Sequence, residues 1–267
     1  MLSSILPSFW GAANDTVSDL ARVGLGRANL DRGKYAAAAD DVVAVPSDFS
    51  YQLSINWFTG EQFGIGNVNN LNYTATISDR EGKNGLPFRS EGDARTADTI
   101  IATNGASISV PLFFPRKYIA AYDGGAGYAP YTLASGVEAR LIQAEANIHG
   151  IPSGIGSWID KLNVLRTTIG LPIIADPGAS NPAAQLDTLF TERAYWLFLD
   201  GHRQGDLRRL LRQYSSQYSA FRDQSLVYPS GTYRGLGAGE YGDAVVVPIP
   251  TSENVNPYYH GCRSYAP

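Results

Sequence analysis

The feature that most constrains the fold of this 267-residue chain is a series of apolar stripes at helical spacing. Within residues 132–149, apolar side chains recur every three or four positions, and Ser135 with Glu138 form a capping-box pattern at the start. Similar stripes, bounded by Gly and Pro, predict three more helices. These helices are expected over residues 156–169, 182 to about 199, and about 206–214. The chain is therefore predicted to be mainly α-helical.

Residues 16–45 predict a helical hairpin. Small and large residues alternate from Gly26 through Tyr35 and Ala38 to Val42, in an order similar to that of a tetratricopeptide repeat. Small residues let two helices approach closely, while the larger ones fill the space between them. One repeat cannot bury its own apolar face, so it requires neighbours. Any alanine-rich helical hairpin gives the same pattern, and both interpretations stay open.

Residues 46–130 differ in character from the helical parts. Apolar side chains alternate with polar ones from Tyr51 to Trp57 and again from Tyr73 to Ile77, which is typical of strands. Gly, Asn and Pro interrupt the rest of the segment frequently. We expect irregular loops with short strands here, in a region too long to be a simple connection.

Aromatic residues of this loop-rich region are the candidate ligand contacts. Only 17% of the residues are charged, whereas the chain has 16 Tyr, which suits a neutral ligand such as a sugar. An aromatic ring covers the apolar face of a sugar, and nearby amides bind its hydroxyl groups. The alternative is that these aromatics form a local core. The candidates are Tyr51, Trp57, Phe58, Phe63 and Tyr73.

Charge and cysteine content exclude several functional classes. The net charge is −4, and the one Arg-rich stretch, Arg203–Arg212, also contains Asp206, so nucleic-acid binding is not expected. Cys262 is the only cysteine, which excludes a disulfide framework and a cysteine-rich zinc site. The three histidines lack ligand spacing and no phosphate-binding glycine motif occurs, so neither a metal nor a cofactor is predicted.

A cluster of charged residues around Glu192, His202 and Asp206 permits a catalytic interpretation. Two carboxylates and a histidine base would suit a glycosidase. The alternative is that the charges flank a buried apolar run and pair with each other. We favour pairing, because the arginines nearby keep Asp206 ionised and unable to donate a proton. No catalytic residue is predicted.

Four segments of the chain, taken together, form a recognisable pattern. They begin at Ser135-Gly-Val-Glu138, Leu162-Asn163, Glu192-Arg193 with Asp200-Gly201-His202-Arg203, and Pro248-Ile-Pro250. In this order and spacing they resemble the C-terminal part of the SusD/RagB family. Each segment alone is a weak signal, whereas the set covers about residues 130–260. The hairpin at 18–45 is similar to the repeat that precedes the family's variable region.

The resemblance implies a right-handed superhelix of tetratricopeptide-like hairpins that carries an irregular ligand-binding region. It implies a non-catalytic, lipid-anchored glycan-binding protein at the surface of the outer membrane. Its partners would be an oligosaccharide and a TonB-dependent transporter of the SusC type. Relative to the family the chain is shortened at its N-terminal end, and no secretory signal or lipobox occurs in it.

The sequence thus predicts three segments in one compact unit. They are a helical hairpin at 1–45, a candidate ligand region at 46–130, and a helical region with an extended tail at 131–267. The favoured function is glycan binding for nutrient uptake. The alternative is a repeat scaffold that binds a protein or peptide partner without recognising sugar.

Overall fold

The computed structural model describes residues 15–56, 76–101, 112–117, 128–214, 224–233, 239–245, 253 and 255–259. Within these ranges the chain is mainly helical, which confirms the predicted fold class. The α-helices are α1 Asp15–Asp31, α2 Tyr35–Val42, α3 Gly136–Ile148, α4 Trp158–Thr168, α5 Pro182–Trp196, α6 Arg203–Gln213 and α7 Gln224–Val227.

Four short strands form two antiparallel pairs in the described part of the chain. They are β1 Ser50–Asn56, β2 Asp98–Ile101, β3 Leu112–Pro115 and β4 Tyr128–Ser135. Strand β1 pairs with β4, and β2 pairs with β3. A register shift between Tyr51 and Gln52 marks an irregularity in the first pair. The first pair confirms that the alternating residues from Tyr51 form a strand, and it joins segments far apart in the sequence.

The chain divides into two compact units. The first unit consists of Met1–Ile77 and Phe88–Arg203, and the second consists of Ser78–Pro87 and Gln204–Pro267. Each unit therefore contains segments that are distant in the sequence. The three sequence segments at 1–45, 46–130 and 131–267 are not tested by this division and stay a prediction.

In the first unit, α1 and α2 form a hairpin through a seam of small residues. Gly26 is buried, and a Cβ atom at that position would lie 2.5 Å from Cγ1 of Val42 and 3.2 Å from the carbonyl oxygen of Ala38. The amide of Asn29 donates to Asp41 at 2.7 Å and joins the same two helices. Only glycine allows so close an approach, as the alternation of small and large residues predicted.

Helix α3 occupies the centre of the first unit, in contact with α1, α2, α4 and α5. Nine of its residues are buried, including Gln143 and Glu145. The side chain of Ser135 accepts a hydrogen bond from the backbone amide of Glu138 at 3.2 Å, so the predicted N-cap is present. The Glu138 carboxylate does not close a capping box and bonds to other elements instead.

Local signals set the ends of α4 and α5. Ser157 and Asp160 form a reciprocal capping box at the start of α4, and Gly170, with φ of +74°, ends it. Asn181 caps α5, with Pro182 at its first position. Helix α5 ends at Trp196, three residues before the predicted end. Leu199 adopts a φ of +60°, which helical residues do not take, so the helix cannot extend to the predicted position.

No helix in the described ranges is long and apolar enough to cross a membrane. Within the same ranges, no group of three or more His, Cys, Asp or Glu side chains is arranged to hold a metal ion.

Candidate functional site

Of the aromatic residues predicted to contact a ligand, only Tyr51 belongs to the described residues. It lies in β1 opposite Ala134, is half-buried, and adjoins the irregularity in the strand pair. The other four predicted contacts, Trp57, Phe58, Phe63 and Tyr73, lie outside the described residues.

Glu192, the first carboxylate of the catalytic interpretation, is held by two arginines in the first unit. Its Oε1 accepts from Arg166 at 2.6 Å and from Arg95 at 3.2 Å. Its Oε2 accepts from Arg95 at 2.7 Å and from the indole of Trp196 at 3.1 Å. Four donors therefore satisfy a carboxylate that is only 4% exposed. An acid or nucleophile needs an oxygen that can reach a substrate, and this arrangement leaves none.

Asp206 is also paired with an arginine, within the second unit. Its Oδ1 accepts from Arg209 at 2.7 Å, and both side chains are buried. His202, in the first unit, lies 3.0 Å from the carboxylate of Glu138. The geometry of this charged cluster fits structural pairing, the interpretation favoured from the sequence, and gives no support to a pair of catalytic carboxylates.

The second unit contains a cleft of about 520 Å³. We call it the tyrosine cleft, because Tyr228 and Tyr241 contribute its aromatic lining. Its volume lies within the range of about 300–1,000 Å³ that is typical of small-molecule sites. The residues lining the cleft are Ser225, Tyr228, Pro229, Ser230, Tyr241, Gly242 and Asp243.

A turn and a short bridge bring the two tyrosines to one place. Helix α7 ends just before Tyr228, and Gly231 takes a φ of +75°, which turns the chain after Ser230. The amide of Tyr241 donates to the carbonyl of Gly231 at 2.8 Å. Thr232 and Glu240 form an antiparallel bridge beside it. Two segments joined by this bridge thus form the cleft.

The segment Ser78–Pro87 supports the cleft from a distant part of the sequence. The side-chain amide of Asn84 donates to the carbonyl of Tyr228 at 2.7 Å. The Oδ1 atom of Asn84 accepts from the backbone amide of Ser230 at 3.2 Å. The backbone of Lys83 donates to the carbonyl of Ser230 at 2.9 Å. These bonds fix the backbone that carries the cleft's first tyrosine and a serine hydroxyl.

Tyr241 is fixed by a hydrogen bond and by an aromatic neighbour. Its hydroxyl donates to the Glu81 carboxylate, and Tyr233 packs edge-on against its ring at a centroid distance of 5.9 Å. Burial, and next the bond to Glu81, raise the pKa of Tyr241 to about 12. The phenol therefore keeps its proton at neutral pH and remains a donor.

The lining of the cleft suits a small polar ligand with an apolar face. Its side chains supply two aromatic rings, two serine hydroxyls and the carboxylate of Asp243, and no cationic residue belongs to the lining. Tyr228 is largely buried and its hydroxyl donates to the carbonyl of Val245 at 3.4 Å, whereas Tyr241 is half-buried. Tyr241 is thus the more accessible of the two rings.

Comparison of the chain with family models, with curated proteins and with solved structures found no similarity. The resemblance to the SusD/RagB family stays a prediction that depends on the four segments quoted above.

Sequence reasoning missed the tyrosine cleft. The sequence predicts only an extended tail at the end of the 131–267 segment, although this tail contains the same combination of aromatic and polar residues as the candidate ligand region at 46–130. The Tyr228-Pro-Ser-Gly231 sequence is a turn signal next to an aromatic residue and was the available clue. The contribution of Ser78–Pro87 had no local signal, since it arises from contacts between distant segments.

Proposed function

We propose that this protein is a non-catalytic binding protein for neutral oligosaccharides and that the tyrosine cleft is its sugar site. The single observation that carries the proposal is the combination of Tyr241, Ser230 and Asp243 in one cleft of sugar-sized volume. A tyrosine ring covers the C–H face of a pyranose, while serine hydroxyls and a carboxylate bind its hydroxyl groups.

The pairing of the charged side chains supports a binding role over a catalytic one. Glycosidases need a pair of carboxyl groups that flank the scissile bond. Asp243 is the one carboxylate in the lining of the cleft. The proposal therefore assigns it to hydrogen bonding with sugar hydroxyls.

The resemblance stated for the sequence supports a place for this binding in nutrient uptake. On that proposal the protein lies at the surface of the outer membrane and passes oligosaccharides to a SusC-type TonB-dependent transporter. The α1–α2 hairpin would then be one repeat of a tetratricopeptide-like superhelix, with α3 and α4 as the next pair. Contacts of α3 with both helices of the hairpin support this arrangement.

Isothermal titration calorimetry with neutral oligosaccharides tests the proposal. We expect at least one of maltotriose, cellotriose, xylotriose, mannotriose and galactotriose to bind with micromolar to millimolar affinity. Tyr241→Ala should weaken binding about tenfold, since an aromatic contact is worth about 0.5–1.5 kcal/mol and about 1.4 kcal/mol corresponds to tenfold. Tyr241→Phe, which keeps the ring, should weaken it less.

Tyr258→Ala is the matched control, because Tyr258 is 86% exposed and does not line the cleft. It should bind like the unmodified protein. Circular dichroism confirms that each variant is folded. The proposal is wrong if the whole panel gives no heat of binding, or if Tyr241→Ala binds the sugar as tightly as the control does.

A further inference from the structure

We propose that Asn84 is a site of spontaneous deamidation that reacts only when the segment Ser78–Pro87 opens, and that its product prevents the segment from closing again. Asn84 and Gly85 form the dipeptide that favours this reaction most strongly, because glycine has no side chain to hinder it. The inference goes beyond the proposed function and does not depend on it, since neither the reaction nor its measurement involves a sugar.

The reaction needs water as its only co-reactant. The backbone nitrogen of Gly85 loses its proton and attacks Cγ of Asn84, so a new C–N bond closes a succinimide ring. The side-chain nitrogen takes up a proton and leaves as ammonia. Water then adds across one of the two C–N bonds of the ring. The product is aspartate or isoaspartate, and in isoaspartate the main chain runs through the former side chain and is one carbon atom longer.

In the closed segment both reacting groups are engaged in other bonds. The side-chain amide of Asn84 donates to the carbonyl of Tyr228 at 2.7 Å, and its Oδ1 accepts from the backbone of Ser230 at 3.2 Å. The backbone amide of Gly85 donates to the carbonyl of Glu81 at 2.8 Å. These bonds must break before the nitrogen can reach Cγ. Deamidation therefore proceeds from the open segment, at a rate set by how often the segment opens.

The fold itself requires this labile pair of residues. A Cβ atom at Gly85 would clash with the backbone of Glu81, so only glycine fits the turn. Asn84 supplies a donor for Tyr228 and an acceptor for Ser230 from one short side chain. The geometry that closes the segment thus also places the reactive dipeptide in it.

The products do not fit the closed segment. An ionised aspartate has no proton to donate, so its carboxylate would face the carbonyl oxygen of Tyr228. Isoaspartate also lengthens the main chain inside the turn that the bond from Gly85 to Glu81 closes. Because the segment Ser78–Pro87 fixes the backbone of Tyr228, the tyrosine cleft loses this support after deamidation.

Peptide mapping by mass spectrometry tests the dependence on opening. The protein is incubated at mildly alkaline pH, and the mass increase of the peptide with Asn84 is followed, with the same chain in urea as the open reference. We expect deamidation at Asn84 to be at least about tenfold slower in the folded protein, because the segment is closed most of the time. Equal rates would overturn the proposal. The other Asn-Gly pair, Asn104-Gly105, lies outside the described residues and is followed on its own peptide.

The Gly82→Ala variant loosens the segment and leaves Asn84 and Gly85 in place. A Cβ atom at Gly82 would clash with the carbonyl oxygen of Ser230, and the φ of Gly82 is +61°. We expect severalfold faster deamidation at Asn84 in this variant, with circular dichroism as the check that it is folded. Gly205→Ala is the control in the same unit, because a Cβ atom there meets nothing within 4 Å, and its rate should equal that of the unmodified protein. An unchanged rate in folded Gly82→Ala would contradict the proposal.

The Asn84→Asp variant imitates the aspartate product and tests its effect on the segment. Amide hydrogen exchange in the peptides around Tyr228 and Asn84 should be about tenfold faster than in the unmodified protein, because a bond between them is lost. Asn181→Asp is the matched control, since Asn181 only accepts a hydrogen bond, from Ala184 at 3.3 Å, and a carboxylate accepts it as well. Equal exchange in Asn84→Asp and the unmodified protein would show that the product still closes, and the proposal would be wrong.

Discussion

At the scale of single residues, Glu138 shows how a buried charge is made tolerable. The sequence predicts that the Glu138 side chain completes a capping box with Ser135. In the structure its carboxylate instead binds Arg27 at 2.6 and 2.7 Å and His202 at 3.0 Å. The carboxylate is 2% exposed, so burial raises its pKa, and the bonds from His202 and Arg27 more than offset that rise. The net result is a pKa below its ordinary value.

The lowered pKa of Glu138 makes stability depend on pH in the acid range. The unfolded chain takes up a proton at this group near its ordinary pKa of 4.5, whereas the folded chain takes it up only at lower pH. The contribution is therefore complete above about pH 4.5 and is lost as the pH falls through the folded pKa. We expect the free energy of unfolding, measured with urea, to fall less steeply below about pH 4.5 in Glu138→Gln than in the unmodified protein.

Asp48→Asn provides the comparison, because Asp48 is exposed and lies outside the helices and strands. Its acid slope should match that of the unmodified protein. Equal slopes for Glu138→Gln and the unmodified protein would show that Glu138 has the same pKa in the folded and the unfolded chain.

At the scale of elements, the α1–α2 hairpin depends on the spacing of small residues. Two glycines lie two positions apart in α1 with opposite surroundings. A Cβ atom at Gly26 would press on Val42 and Ala38, whereas a Cβ atom at Gly24 would meet nothing within 4 Å. A glycine inside a helix lowers its stability, and at Gly26 this cost is offset because no larger residue allows the two helices to approach so closely. The surroundings of Gly24 give no comparable reason for a glycine there.

Substitution of these two glycines by alanine should change the stability of the protein in opposite directions. Gly24→Ala should stabilise the protein by about 0.5–1 kcal/mol, because alanine has the higher helix propensity. Gly26→Ala should destabilise it by about 1–3 kcal/mol, because the added methyl group overpacks the seam and outweighs the propensity gain. Thermal and urea unfolding of both variants measure the difference. Stabilisation by both substitutions would mean that the helices do not meet at Gly26.

At the scale of the whole molecule, the chain forms two units that differ in how their elements are stabilised. In the first unit, α3 touches four other helices and buries nine residues. In the second unit, the four-residue helix α7 and the turns around Gly231 are joined to Ser78–Pro87 by a few hydrogen bonds. Elements with many buried contacts open rarely, and short elements with exposed bonds open often.

This difference predicts different rates of amide hydrogen exchange, which mass spectrometry can measure. Peptides from α3 should exchange most slowly among the described segments. Peptides from α7 and from residues 78–87 should exchange faster, and the sugar that binds in calorimetry should slow them because a ligand stabilises the state that it binds. Equal protection of α3 and α7 without a ligand would contradict the prediction.

The sequence by itself determined the positions and ends of most helices. Apolar spacing located α3, α4 and α5, and local signals such as Ser157 and Asn181 set their starts, because a cap acts within one turn of its own helix. The pattern of small residues likewise predicted the hairpin seam at Gly26. All of these are interactions between residues close in the chain.

Only the tertiary structure decided the charge pairing and the candidate site. Glu192 binds Arg95, 97 positions away, and Tyr241 binds Glu81, 160 positions away. Nothing in the local sequence indicates which distant donor will meet a carboxylate, because that choice depends on how all the elements pack. The tyrosine cleft therefore emerged from contacts between distant segments, while the aromatics proposed from the sequence were chosen for local composition alone.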